Sequence, residues 1–119
     1  SYVVLVSFDG FRPDYLERVE TPAFDRLIRT GIIADGLISV FPSLTFPAHY
    51  SIATGLYPEH HGIVGNRFFD PVRGETYHYR NTATVQDGTW YGGEPIWVTA
   101  ETQGMVARGI LVHRWLDGR

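Results

Sequence analysis

The stretch "YVVLVSFDG", Tyr2 to Gly10, decides the fold class. It is an unbroken apolar, β-branched run with no polar alternation. Such a run suits a strand buried on both faces, as in a parallel sheet covered by helices. It stops at Asp9 and Gly10. In open α/β sheets, ligands bind outside the carboxyl ends of the strands, so Asp9 stands where a carboxylate can hold a cation. An aspartate that merely makes turn hydrogen bonds explains the same position.

The rest of the chain fits around that strand. Thr21 and Pro22 predict a helix start, as N-cap and first helical residue. Phe24, Leu27 and Ile28 form its apolar stripe, and Gly31 ends it. "IIADGLISV" (32–40) predicts a second strand, bulged at Gly36. "TFPAHYSIATG" predicts a helix from about Phe46 to Thr54, with Thr45 at or beside the N-cap and Gly55 closing it. "GLYPEHHGIVGN" reads as loop. "RFFDPVRGETYHYR" reads as a hairpin turning at Pro71 to Gly74, and "NTATVQDGTWYGG" as irregular. "EPIWVTAETQG" predicts a helix from Pro95, with Gly104 beyond its end. "MVARGILVHRW" is a last strand candidate. The order is α/β: a mostly parallel sheet flanked by helices. So few strands leave sheet edges to be covered, which points to an incomplete domain.

Bulk properties narrow the chemistry. The chain has 119 residues, 44% hydrophobic and 19% charged, which suits one globular unit. A net charge of -3 without a basic stripe argues against a nucleic-acid-binding surface. There are no cysteines, so disulfides, thiolate metal sites and cysteine nucleophiles are excluded. No apolar run is long enough to span a bilayer. The first residues show no basic region or cleavage site of a secretory signal, so localisation is not legible.

Thr45 is the second chemical candidate. A helix start presents unpaired N–H groups and favours anions. A threonine there is most often a cap. Yet Pro47 removes one capping target, and Phe46 is an odd first-turn residue unless something packs on it. A threonine hydroxyl needs a base or a metal to act as a nucleophile. His49 lies one turn along the same face and suits a supporting or core role better than that of the base. Asn66 is the third candidate, since an amide after a glycine loop can donate to a phosphoryl oxygen; tolerance of a tight turn explains it too. His60 and His61 are adjacent and poorly placed to share a metal. His78 sits in the hairpin and His113 in the tail, and no histidine pair has zinc-site spacing. Trp90 and Tyr91 suit an aromatic lip or surface loop packing.

Together, "VVLVSFDGFRPDYL", "TPAFDRLIRTG", "FPSLTFPAHYSIATGLYPEHHGIVGN" and "EPIWVTAETQG" resemble the nucleotide pyrophosphatase/phosphodiesterase family of the alkaline phosphatase superfamily. The resemblance covers about Tyr2 to Gly104 and implies that residues 1–119 are the N-terminal part of a catalytic domain with an alkaline-phosphatase-like fold. It implies hydrolysis of phosphodiester or pyrophosphate bonds in nucleotides or related diesters. Asp9 is implied as a ligand of one of two zinc ions. Thr45 is implied as the nucleophile, its hydroxyl on that zinc. Asn66 is implied as the holder of a phosphoryl oxygen, and Phe46 as one wall of a slot for the nucleoside base. The remaining Asp and His ligands are implied to lie beyond the length of this chain. A periplasmic or extracellular location is implied as well. After Gly104 the family pattern runs on to a Trp-Pro-Gly turn, which this chain lacks. Two further readings stay open: a phosphonate hydrolase or phosphotransferase with the same nucleophile, and an inactive fragment or binding module.

Overall fold

The computed structural model describes residues 2–109. Five helices are found there: α1 (Pro22–Thr30), α2 (Thr45–Thr54), α3 (Pro58–His61), α4 (Thr82–Val85) and α5 (Ile96–Thr102). Short 3-10 turns lie at Pro13–Glu17 and Gly88–Trp90. The two strands, β1 (Arg67–Asp70) and β2 (Glu75–His78), form an antiparallel hairpin.

The hairpin follows from its turn chemistry. Asp70 Oδ1 accepts hydrogen bonds from the Val72 and Arg73 N–H groups, closing an Asx turn. Gly74 then takes φ +69°. That register sets Phe68 opposite Tyr77, with the two rings stacked at 5.1 Å. Tyr77 and Ile63 are fully buried, and Trp90 nearly so. Phe46, Tyr50, Phe68, Tyr79, Val85 and Tyr91 pack around them. Trp90 is therefore core rather than lip. Arg73 covers its ring at 4.1 Å and bonds Thr89 and Asp87.

The expected parallel sheet is not found among the described residues. Segments 2–8 and 32–40 are neither helix nor strand, and no strand pairs with either. Their apolar side chains face outward: Val3 is 92% exposed and Ile38 96%. A strand exists only through a neighbour's hydrogen bonds, and these segments have no such neighbour here. α1 forms where predicted, but Leu27 is exposed, leaving Phe24 to pack with Phe8 and Phe11. Thr21 precedes α1 without capping it, because its hydroxyl donates to Asp25. α3, α4 and the 3-10 turn at Gly88–Trp90 lie in stretches read as loop or irregular. Residues 105–109 of the last strand candidate are not in a strand. The rest of that candidate, and His113, lie outside the described residues.

Candidate active site

α2 begins at Thr45, one residue earlier than the sequence implies, with Leu44 as its extended N-cap. The first intrahelical bond runs from Ala48 N–H to Leu44 C=O. That leaves the N–H groups of Thr45 and Phe46, since Pro47 has none. The Phe46 N–H donates to Asn66 Oδ1 at 3.0 Å. Several outward N–H groups were expected at this helix start. Proline chemistry and the Asn66 bond leave Thr45's own N–H beside its hydroxyl.

The Thr45 hydroxyl does not cap its helix. It donates to Asp9 Oδ2 at 3.2 Å. One turn on, His49 Nδ1 lies 2.7 Å from Ser7 Oγ, and His49 Nε2 lies 3.9 Å from Asp9 Oδ1. Two spacings meet here. Ser7 and Asp9 are two apart where the first segment runs into its turn, while Thr45 and His49 are four apart and share one helix face. The segment and the helix thus touch at two successive points. Ser7 was not singled out from the sequence, and its partner His49, 42 residues away, becomes visible only in the fold.

Asn66 is half-buried at the end of the loop that follows α3. With its carbonyl oxygen taken by the Phe46 N–H, its NH2 end remains as the donor. The Phe46 ring lies 5.7 Å from Tyr79 and 6.3 Å from Tyr77, which accounts for an aromatic residue in the first turn. Asp9 and Asn66, each distant from Thr45 in sequence, thus gather with Thr45 and Phe46 at one helix end.

His60 faces solvent with Glu59. His61 is fully buried and bonds Ser51 and the Ile63 backbone. Burial lowers its pKa, opposed in part by the carbonyls of His61 and Pro47. His78 ends β2, stacked on Tyr79. Burial raises the phenol pKa values of Tyr50, Tyr77 and Tyr91.

As a metal site, the pair of Asp9 and Thr45 offers a carboxylate and a hydroxyl oxygen on adjoining elements. Those are donors that a divalent cation accepts. Among the described residues no group of three or more His, Cys, Asp or Glu is placed to hold a metal. The pair fits part of a coordination shell.

Sequence comparison supplies the context. The model of the type I phosphodiesterase / nucleotide pyrophosphatase family matches residues 3–115. The chain belongs to this family. The match continues past Gly104, where the recognisable motifs stop. A fission yeast (Schizosaccharomyces pombe) pyrophosphatase/phosphodiesterase is 48% identical over 116 residues, covering 97% of this chain and 23% of the relative. The mouse (Mus musculus) bis(5'-adenosyl)-triphosphatase is 45% identical over 101 residues, covering 85% and 22%. The human ectonucleotide pyrophosphatase/phosphodiesterase family member 1 is 42% identical over 104 residues, covering 86% and 11%. The chain spans less than a quarter of the length of these family members.

Proposed function

We propose that this chain carries the nucleophile-bearing segment of a hydrolase that cleaves phosphodiester or pyrophosphate bonds in nucleotides or related diesters. Family membership supports the reaction class. The observation that carries the assignment of residues is the convergence of Asp9, Thr45 and Asn66 on the start of α2. Thr45 Oγ, its proton given up to solvent, attacks phosphorus in line. A P–O bond forms to the threonine, and the bond to the leaving oxygen breaks, that oxygen departing with the electron pair and taking up a proton. Water then hydrolyses the phosphothreonine ester. The Asn66 NH2 and the Thr45 N–H donate to the non-bridging oxygens, where charge accumulates. Phe46 offers its ring to a base.

Asp9 and Thr45 would together hold a zinc ion, one of two proposed for the complete domain. Zinc bound there would lower the pKa of the hydroxyl and offset phosphate charge. The helix start adds its own partial positive charge beside the hydroxyl. The proposed architecture is alkaline-phosphatase-like, with segments 2–8 and 32–40 as strands of a parallel sheet completed by further chain. An extracellular or periplasmic setting accords with the ectoenzyme names of relatives.

The test is Thr45→Ala in the full-length protein, assayed with a nitrophenyl-nucleotide diester and with the matching monoester. The variant is expected to lose at least about three orders of magnitude in kcat, as nucleophile removal does elsewhere. Near-normal turnover by that variant would remove Thr45 from the mechanism. A preference for phosphonates over the diester would favour the related hydrolase reading.

One observation favours a second reading for the 119-residue chain taken alone, as an inactive piece. Two metal donors are too few for tight zinc binding. Zinc content after purification separates the two: close to none for the isolated chain, close to two ions for the full-length protein.

A further inference from the structure

His61 takes no part in the proposed chemistry, yet it is the fully buried imidazole nearest the helix that carries Thr45. We infer that His61 is a positioning residue that locks α2 to the loop bearing Asn66. The inference rests on the proposed roles of Thr45 and Asn66.

The hydrogen bonds define the ring. The Ile63 N–H donates to Nδ1 at 3.2 Å, so Nδ1 is an acceptor and carries no proton. A neutral imidazole then has its hydrogen on Nε2, which lies 2.9 Å from Ser51 Oγ. A protonated ring would set an N–H against the Ile63 N–H. Burial works in the same direction. The Tyr50 ring packs edge-on at 4.9 Å and closes one side. The His61 carbonyl accepts from the Gly92 N–H at 2.8 Å, tying in the segment that carries Trp90 and Tyr91.

The consequence is mechanical. Two side-chain hydrogen bonds tie the loop from His61 to Asn66 to α2. One is Ser51 to His61, in the second half of the helix. The other is the Phe46 N–H to Asn66 Oδ1, at its start. The Asn66 backbone is already held by the Tyr79 N–H at 2.9 Å, so the Ser51–His61 bond adds a fixed placement of α2, and with it the Thr45 hydroxyl, against the Asn66 amide. Two contacts on one rigid helix fix both position and orientation. Small displacements of a group that stabilises a transition state are costly, so the effect falls on kcat more than on KM.

The test uses the full-length protein with Ser51→Ala, His61→Leu and His61→Gln. Ser51→Ala keeps the ring and its packing but removes the side-chain acceptor, leaving the Pro47 carbonyl. It is expected to lower kcat about tenfold with KM within about twofold, and its crystal structure to show the Phe46 N to Asn66 Oδ1 contact lengthened. His61→Leu is expected to lower kcat further, and His61→Gln, whose amide can still donate to Ser51, to recover most of it. A kcat unchanged in Ser51→Ala with the Phe46–Asn66 contact still at 3.0 Å overturns the inference, even if neither His61 variant folds. The mechanism fails separately. If Thr45→Ala stays active while Ser51→Ala still loosens that contact, the nucleophile assignment falls and the positioning role stands.

Discussion

Thr45 owes its setting to what its hydroxyl is not doing. A capping hydroxyl would bond a backbone N–H one turn into its own helix. Here Pro47 has no N–H, Asn66 serves the Phe46 N–H, and the hydroxyl turns to Asp9 at 3.2 Å. Thr45 and Phe46 stand out in the sequence as odd for a plain helix start, Asp9 by closing an apolar run and Asn66 by following a glycine loop, and the family resemblance gives each its implied role. Ser7 and Ser51 do not, because a serine's partners lie far along the chain and leave no local mark. His61 was unreadable for a related reason: one of two adjacent histidines is buried, and which one depends on the fold. At this scale Phe46→Ala is expected to raise KM for a nucleotide diester about tenfold, within the range for loss of a base–aromatic stack. A diester without a base is expected to change less. Equal losses for both substrates in steady-state kinetics would show that Phe46 serves only its packing on Tyr77 and Tyr79. His61 supplies a second prediction. Its pKa lies below the ordinary 6.5, chiefly through burial. Below 6.5 the unfolded chain binds a proton that the native state refuses, so this part of the stability is fully present above that value and falls away as pH drops toward the folded pKa. The facing Tyr50 phenol stays neutral, its pKa raised by burial, and His60 with Glu59 lies in solvent. Melting temperature should therefore fall between pH 7.5 and 5, and less steeply in His61→Gln. Parallel slopes would assign the acid sensitivity to other groups.

At the scale of elements, those bounded by capping or turn residues form where the sequence places them, whereas the apolar runs 2–8 and 32–40 pair with no strand. α2 and α5 are framed by prolines and glycines, and the hairpin by Asp70 and Gly74. α3 and α4 are single turns whose few residues carry no periodicity, so loop and helix look alike in the sequence. α2 ends at Gly55, with φ +70° and open space where a Cβ would go. Gly93 has φ +80°, but a Cβ there would lie 2.5 Å from Leu56 Cδ1. The two glycines separate backbone strain from steric clash. Gly55→Ala is expected to cost about 1 kcal/mol, from the left-handed backbone alone. Gly93→Ala is expected to cost more, because Leu56 must also move. Denaturant melts of the two variants would order them, and an equal cost would mean that Leu56 swings aside freely.

Across the whole molecule, the core and the exposed apolar surface lie in different places. The core of Ile63, Tyr77 and Trp90 joins α2, the Asn66 loop and the hairpin. The radius of gyration is 16.7 Å, against ~13.5 Å for a compact chain of this length. Val3, Val4, Leu5, Val6, Ile32, Leu37 and Ile38 all stand well exposed. Full burial of such a side chain is worth about 1.5–3 kcal/mol, so the seven together forgo on the order of 10 kcal/mol, comparable with a domain's whole stability. The apolar runs were plain in the sequence; the missing ladder was not, because pairing needs strands that these residues do not supply. If the proposed parallel sheet is right, both segments are inner strands of the full-length protein and bare in the isolated chain. The isolated 119-residue chain is then expected to bind a hydrophobic dye such as ANS and to self-associate in light scattering, while the full-length protein does neither. Val4→Lys and Ile38→Lys together should make the isolated chain more soluble and the full-length protein unable to fold, since a strand buried on both faces has no place for an unpaired lysine. A full-length double variant that stays folded and active would put both segments on the surface, and the parallel sheet would have to be abandoned.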